Sequence, residues 1–461
     1  MAQTWQSYLE EHQRRFMNEF IDLLRIPSIS TDPAAKGEVR RAGEWTANRL
    51  RQAGLQNVAI METGGHPAVY ADWLGAPGQP TILFYGHFDV QPVDPIELWT
   101  TPPFEPVIRD GKLFARGATD MKGNDLLPII ACEAFLATLG RLPVNVKFLI
   151  EGEEEIGSPS LAAFIATHAD LLRCDLVVSA DGGVGDPEQP HLGRGGRGLC
   201  GLQIDVQTAN VDMHSGTGGL TPNPIHALIR ILDSLRSPDG TILVEGFYDE
   251  VRPMTESERA TIAASPGDVN ELLRDAGIKE AFGEPGFTPL ERTASRPTLE
   301  VNGIWGGYQG EGIKTVIPKE AHAKITCRLV ADQSPGAIRA KVAAHIQKQA
   351  PSYAAVTVQV LPGEADPYLM PENHPAYLVA SRVLTGLLGK EPYPTWGGGT
   401  VPVMGMLKRQ LGVETLTLGA SGKGERAHAP DEFVRVAQWE RMQRGFCLFM
   451  AEYAKGSGPL S

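Results

Sequence analysis

The sequence predicts an α/β fold: a mainly parallel sheet flanked by helices, interrupted by an inserted α+β domain of ferredoxin-like type. Three observations carry this. Short apolar strands alternate with helical stretches through the first 198 residues, the pattern of a parallel sheet covered by helices. From 199 the order becomes strand-helix-strand-strand-helix-strand. After Pro362 the first texture returns. The expected organisation is a first domain made of 1–198 and 363–461, with a second domain, 199–362, inserted into it. Two domains suit a chain of 461 residues, too long for one ordinary core.

Residues 5–25 read as an amphipathic helix stopped by Pro27, and 38–53 as a second ending at Gly54. Strands follow at 56–61, 68–73 and 81–85, the last running into Gly86-His87-Phe88-Asp89-Val90. A long proline-containing loop leads to a helix at 124–139. The apolar run Val146 to Ile150 reads as a buried strand and ends abruptly in EGEEEIGS (151–158). A short helix at 159–168 precedes a strand from Asp175 to Ala180, which stops at Asp181. In the insert, Gly201 to Thr208 is a strand and 223–237 a helix. The strand at 321–330 alternates cleanly: Ala321, Ala323, Ile325, Cys327 and Leu329 share one face, His322, Lys324, Thr326 and Arg328 the other. Ser334-Pro335 opens a helix to about 349, and Val356, Val358 and Val360 alternate in a last strand. The charged segment 240–300 reads as helical decoration. A helix at 374–388, a strand at 414–419 and a helix at 431–453 complete the chain.

Composition narrows the function. The chain is 42% hydrophobic and 21% charged, as soluble globular proteins are. A net charge of -13, with no basic run, argues against a nucleic-acid partner. No apolar run approaches membrane-spanning length, and the first residues lack a signal-peptide pattern. Five scattered cysteines without a CxxC indicate neither a disulfide framework nor a thiolate zinc site, so a cytoplasmic enzyme is the expectation. GRGGRG (193–198) spells GxGxxG but precedes a strand, not a helix, and reads as a hinge at the domain boundary.

The chemistry concentrates at strand ends. His87 and Asp89, the glutamates 151 and 153–155, Asp181, and His428 each follow a strand, and Asp120 lies in the loop between the first two. In α/β folds the carboxyl ends of the strands are where ligands bind. Packed carboxylates repel unless something positive sits among them, and a divalent cation is the simplest candidate. A single histidine or strand-end aspartate is more often a surface or turn residue. Their joint appearance at successive strand ends favours a two-metal site. Two cations about 3.5–4 Å apart need a shared ligand, and Asp120 suits that place. His87 and Asp181 could complete one set, Glu155 and His428 the other, with Asp89 orienting the His87 ring. Glu154 and Glu155 are adjacent and should point differently, so one can bind metal while the other takes a proton from the bridging water.

The motifs GHFDVQP (86–92), DGKLFARGATDMKG (110–123), EGEEEIGS (151–158), SADG (179–182), VDMHSG (211–216), CRLVADQSP (327–335), GGGTVPV (397–403) and GERAHAPDE (424–432) resemble, in order, those of the M20 metallopeptidases, within them the carnosine-dipeptidase-like branch. The resemblance implies a catalytic α/β domain with an inserted lid and dimerisation domain. It implies His87, Asp120, Glu155, Asp181 and His428 as metal ligands and Glu154 as general base. It implies His214 as oxyanion donor, Arg328 and His374 as contacts to the substrate carboxylate and backbone, and Gly399 and Thr400 in the same pocket. Two divalent ions per chain follow, Zn2+ first, with Mn2+ or Co2+ also suited to these donors. In dimeric members the oxyanion histidine comes from the other chain, so a homodimer is expected, acting on a small peptide away from membranes and nucleic acids. The expected activity is hydrolysis of dipeptides with a free C-terminal carboxylate. An N-acyl-amino-acid deacylase or desuccinylase of the same family is the alternative, and a non-catalytic metal-dependent binding protein a more distant one.

Overall fold

The computed structural model describes residues 3–186, 188–265, 269–397 and 402–456. Its contacts divide the chain into two compact units. One comprises Met1–Arg194, Met370–Thr395 and Met406–Ser461, the other Gly195–Leu369 and Trp396–Gly405. The strands that matter here are β1 (Gln56–Met61), β2 (Ala68–Trp73), β3 (Thr81–His87), β4 (Asn145–Glu151), β5 (Leu176–Ser179), β6 (Gly198–Gln207), β7 (Thr298–Gly306), β8 (Glu320–Leu329), β9 (Ala355–Ala365) and β10 (Thr415–Thr417).

The first unit is built on a six-stranded sheet in the order β1-β2-β4-β3-β5-β10. β4, β3, β5 and β10 run parallel, while β1 and β2 are antiparallel at one edge. The interior strands are buried on both faces, which is why Ile82 to Tyr85 and Val146 to Ile150 read as continuous apolar runs rather than alternating ones. The helix Lys122–Leu139 is buried along most of its length and packs against the helices Trp5–Leu24 and Val436–Ala454. Trp439 stacks on Phe20 at 5.0 Å and donates its indole N–H to the Gly123 carbonyl at 2.7 Å.

The second unit carries a four-stranded antiparallel sheet in the order β7-β8-β6-β9. β6 and β8 pair one to one from Gly198↔Leu329 to Gln207↔Glu320. The alternation in β8 is realised. Ala321, Ala323, Ile325, Cys327 and Leu329 are buried beneath the helices Pro224–Asp233 and Pro335–Gln349, with Leu228, Ile231, Ile338 and Val342 in the same core. His322, Lys324, Thr326 and Arg328 occupy the other face. Segment 240–300 contains the helices Glu256–Ala263, Val269–Asp275 and Pro289–Ser295, two of them opened by Thr capping boxes.

The glycine run contains the boundary between the two units, which falls between Arg194 and Gly195. Its first residues end the strand Gln189–Gly196, and a Cβ at Gly195 would sit 2.0 Å from the Tyr368 carbonyl oxygen. One expectation is corrected. The last helix begins at Val436, not 431, because Phe433–Arg435 pairs with Lys112–Phe114 and Phe433 packs on Phe114 at 5.3 Å. Among the described residues no helix is long and apolar enough to cross a membrane.

Phe84 lies between Phe148 at 5.2 Å and Phe446 at 6.0 Å, joining the sheet to the last helix. Phe84→Ala should cost about 3–5 kcal/mol. Chemical denaturation should show this as a lowered midpoint with an unchanged slope; an unmoved midpoint would contradict the assigned core.

Candidate active site

β3, β4 and β5 are parallel neighbours, with His87 opposite Glu151 at their carboxyl ends. The loops leaving these ends therefore converge on one edge of the sheet. His87 is the last residue of β3 and is fully buried. Asp120 comes from the turn before the helix Lys122–Leu139, and its peptide bond to Met121 is cis. His428 comes from the loop after β10, in a left-handed conformation (φ 62°).

Two sets of donor atoms form, sharing Asp120. His87, Asp120 and Asp181 make one set, and Asp120, Glu155 and His428 the other; within each set the donor atoms lie within 4.8 Å of one another. His428 Nε2 is 2.8 Å from Asp120 Oδ2 and 3.2 Å from Glu155 Oε2. His87 Nε2 is 3.4 Å from Asp120 Oδ1 and 3.8 Å from Glu154 Oε2. Asp89 does more than face the His87 ring. Its carboxylate accepts the backbone N–H groups of Glu154 at 3.2 Å and Glu155 at 3.1 Å, while His87 Nδ1 lies 3.1 Å from the Asp89 carbonyl oxygen.

The glutamate run separates into two pairs. Glu151 accepts the Tyr85 hydroxyl at 2.6 Å and the Ser158 hydroxyl at 2.8 Å. Glu153 accepts the backbone amides of His66 at 2.8 Å and Ser160 at 3.1 Å. Both are structural. Glu154 and Glu155, on the following single turn, point to the donor sets. Gln91 Nε2 donates to Glu155 Oε2 at 2.9 Å and braces it.

The electrostatics fit divalent cations. Burial, reinforced by Asp181, Glu155 and Asp120, pushes the Glu154 carboxyl up to about 8. Burial and Asp120 push Asp181 up to about 6. Carboxylates so crowded hold their protons unless positive charge relieves them. Burial alone would depress His87, but Asp120 and Asp89 beside its ring hold it well above the usual range. Its Nε2 is buried without an aligned hydrogen-bond partner, an orphaned polar atom that a bound cation would satisfy. Imidazole nitrogen and carboxylate oxygen are the donors that zinc and its neighbours take.

The sequence reading missed the residues that hold this cluster in place. Glu432, fully buried, accepts Arg116 Nη1 at 2.7 Å and the backbone amides of Gly117, Thr119 and Asp120 at 3.0, 2.9 and 3.1 Å. Glu425 accepts the Thr119 hydroxyl at 2.6 Å, the Gly422 amide at 2.7 Å and Arg435 Nη1 at 2.8 Å. Asn124 ties Gly182, Ala420 and Ser421 together. The only sequence signal was the position of both glutamates inside GERAHAPDE.

Among the described residues, His214, Arg328 and His374 belong to neither donor set. His214 is exposed in the second unit; its Nδ1 accepts the Gly216 amide at 2.9 Å and its Nε2 is 3.3 Å from the Thr315 hydroxyl. Arg328 is on β8 in the same unit, opposite Leu199 and Thr298. His374, in the first unit, caps the helix Pro375–Leu388 by accepting the Ala376 amide at 3.3 Å. Gly399 and Thr400 lie outside the described residues.

A parallel sheet whose strand ends present paired His and carboxylate sets around a shared aspartate defines a two-metal hydrolase. The chain belongs to peptidase family M20/M25/M40, whose model matches residues 83–452, and it is a metallopeptidase. It is 31% identical to the Beta-Ala-His dipeptidase of Rattus norvegicus over 97% of this chain and 94% of that one. Among solved structures it is similar to an M20 family metallo-carboxypeptidase from Sulfolobus solfataricus (TM-score 0.81, 31% identity, 95% of this chain and 99% of that one). It is also similar to human carnosine dipeptidase 1 (TM-score 0.74, 30% identity, 98% of each chain).

Glu432→Gln keeps the shape but leaves the buried Arg116 guanidinium without its counter-charge, at an expected cost of about 3–5 kcal/mol. The variant should melt well below the wild type and bind metal more weakly. An unchanged melting temperature would show that the Asp120 turn is held by other means.

Proposed function

We propose that the chain is a dipeptidase that uses two divalent cations to hydrolyse short peptides ending in a free carboxylate. The observation that carries the reading is the pair of donor sets sharing Asp120, in a chain of a metallopeptidase family. His87 and Asp181 would hold one cation, Glu155 and His428 the other, and Asp120 both. Zn2+ suits these donors first. The bound pair supplies polarisation of the scissile carbonyl and a more acidic attacking water. Glu154 lies on the same turn as Glu155 but outside both donor sets; it takes the proton of the attacking water and returns it to the leaving amine. Asp89 holds both glutamates by their amides and keeps His87 turned. Arg328 takes the substrate carboxylate through its two-pronged guanidinium, with His374, Gly399 and Thr400 contacting the rest of the peptide backbone. The similar proteins named as Beta-Ala-His dipeptidase and carnosine dipeptidase support dipeptides as the substrate class. All five cysteines are free and buried, which suits the reducing cytoplasm.

The second unit acts as lid and dimerisation domain, and His214 stabilises the oxyanion in the partner subunit's site. Supporting this, His214 pairs with Val316 in a short two-stranded ribbon near which Leu220 and Ile313 are 86% and 96% exposed. Apolar side chains at these two places suit a surface that a second chain would cover.

Elemental analysis should find close to two divalent ions per chain, and chelation should abolish hydrolysis. Glu154→Gln should retain both ions yet lose about 10²–10⁴-fold in turnover, whereas Glu155→Gln should lose metal. The opposite pattern would exchange the two roles.

Mixing inactive His214→Ala chains with inactive Glu154→Gln chains should restore activity, since a mixed dimer holds one site with Glu154 intact and an intact His214 of the partner subunit. Exchange demonstrated by mass without recovered activity would place His214 in its own chain's site or outside the chemistry.

A further inference from the structure

The central strands of the second unit's sheet, β6 and β8, meet in a row of inward-facing pairs: Cys200 with Cys327, Leu202 with Ile325, Ile204 with Ala323. Two of these rungs are apolar; at the first, both partners carry sulfur. The two thiols are free, and the residues are only 1% and 2% exposed. A buried cysteine often serves as no more than a small apolar side chain. Two features of this pair go beyond packing.

The first is reach. Directly opposite residues of an antiparallel pair stand about 4.5–5.5 Å apart at Cα, inside the window of about 4.4–6.8 Å that a disulfide spans. The β6–β8 register is unbroken through this rung, and both side chains leave the sheet on the core face. The second is the ladder on the other side of Cys200. There β6 pairs with β9 at Leu199↔Ala365 and Gly201↔Leu361, so Pro362, Gly363 and Glu364 bulge opposite the single residue Cys200. These three are exposed, and Gly363 takes a left-handed conformation (φ 89°). A broken ladder is a place where a sheet opens locally. The charges there also favour one thiol over the other. The Cys327 thiol, offering its hydrogen, holds Cys200 below its ordinary range against the effect of burial. The Arg339 guanidinium adds to this, and Glu364, its ion-pair partner, opposes it. Cys327, hydrogen-bonded to Cys200 and buried, is held well above.

We infer that Cys200 and Cys327 are a peroxide-responsive dithiol, which closes to a disulfide joining β6 to β8 and reopens on reduction. The oxidant is a small hydroperoxide, because a core position beside a short bulge excludes a bulky disulfide such as oxidised glutathione. In the first step the Cys200 sulfur attacks the O–O bond. The sulfur is oxidised to the sulfenic acid, the peroxide is reduced, and an alcohol, or water from hydrogen peroxide, leaves. In the second step the Cys327 sulfur attacks the sulfenic sulfur. The S–S bond forms, the S–O bond breaks, and the oxygen leaves as water with the Cys327 proton. Two electrons pass from the thiols to the peroxide, and each cysteine loses one hydrogen. A dithiol reductant reverses the change by exchange. The inference is independent of the peptidase reading, since both residues lie within the second unit.

The experiment exposes native, full-length wild-type protein to hydrogen peroxide, then denatures it, alkylates the remaining thiols and maps the peptides by mass. The peptides carrying Cys200 and Cys327 should appear joined, about 2 Da lighter than their sum. Cys132, Cys174 and Cys447 should alkylate as before, and dithiothreitol should restore both thiols of the pair. Oxidised glutathione at the same concentration should close the pair at least about tenfold more slowly, because access governs its attack. In Cys327→Ala protein a sulfenic acid should accumulate on Cys200, where dimedone traps it; in Cys200→Ala protein Cys327 should remain a thiol. A pair that stays open in the native protein, that closes only after denaturation, or that closes as fast with oxidised glutathione would overturn the inference. So would a peroxide-induced link among the other cysteines instead, or a sulfenic acid on Cys327 in place of Cys200. The first measurement uses the wild type, so a variant that fails to fold cannot shield the proposal.

Discussion

Asp120, Glu154, Glu155 and Asp181 converge where three parallel strands end, and four carboxylates do not gather at a buried edge without an opposing charge. Much of the first unit can be read as the means of bearing that convergence. The two histidines supply part of the compensation; His428, through hydrogen bonds to Asp120 and Glu155, is held up to about 10. The remainder is left for cations. The sheet contributes position: neighbouring parallel strands bring residues far apart in sequence to one line, and their own backbone groups are already satisfied in the ladder.

Rigidity comes from a layer beneath the cluster. Glu432 gathers an arginine and three amides of one loop, fixing the turn that presents Asp120. Glu425 fixes Thr119 from the same loop and joins it to Arg435. The segments so tied are more than 300 residues apart in the chain, so the ligand turn and the loop bearing His428 are positioned by one network. A buried ion pair of this kind is poor evidence of net stability, because desolvation offsets the attraction. Its value here is geometric: it leaves the Asp120 turn one place to be.

How much of this could be read beforehand depends on where the determining contacts lie. β3, β4 and β8 were legible because burial on one or both faces writes itself into the local pattern of apolar residues. Candidate ligands His87, Glu155, Asp181 and His428 were legible because each follows a strand, and Asp120 because it lies in the loop between the first two of those strand ends. Glu432 was not: it sits in a charged loop beside Asp431, and its role exists only through Arg116 and the amides of a distant turn. Glu151 and Glu153 were read with the cluster because nothing local reveals that Tyr85, Ser158 and two backbone amides satisfy them. The strand at Phe433–Arg435 was absorbed into the following helix because three residues cannot outweigh nineteen helical ones unless the partner Lys112–Phe114 is known.

The adjacency of Glu154 and Glu155 carries the last step. Two neighbouring carboxylates in an extended strand would point to opposite faces, and in a helix about 100° apart. Here they open a single 3-10 turn whose backbone amides are both captured by the Asp89 carboxylate. Because Asp89 binds amides rather than side chains, it fixes the turn without competing for the oxygens that do the chemistry. Glu155 is drawn by Gln91 and His428 into one donor set, while Glu154 stays 3.8 Å from His87 and outside both. A ligand and a base can thus be adjacent in sequence and still hold separate places. The residue that separates them, Asp89, is two positions from His87, so the strand end that carries one candidate ligand also sets the orientation of the turn that carries the other two groups.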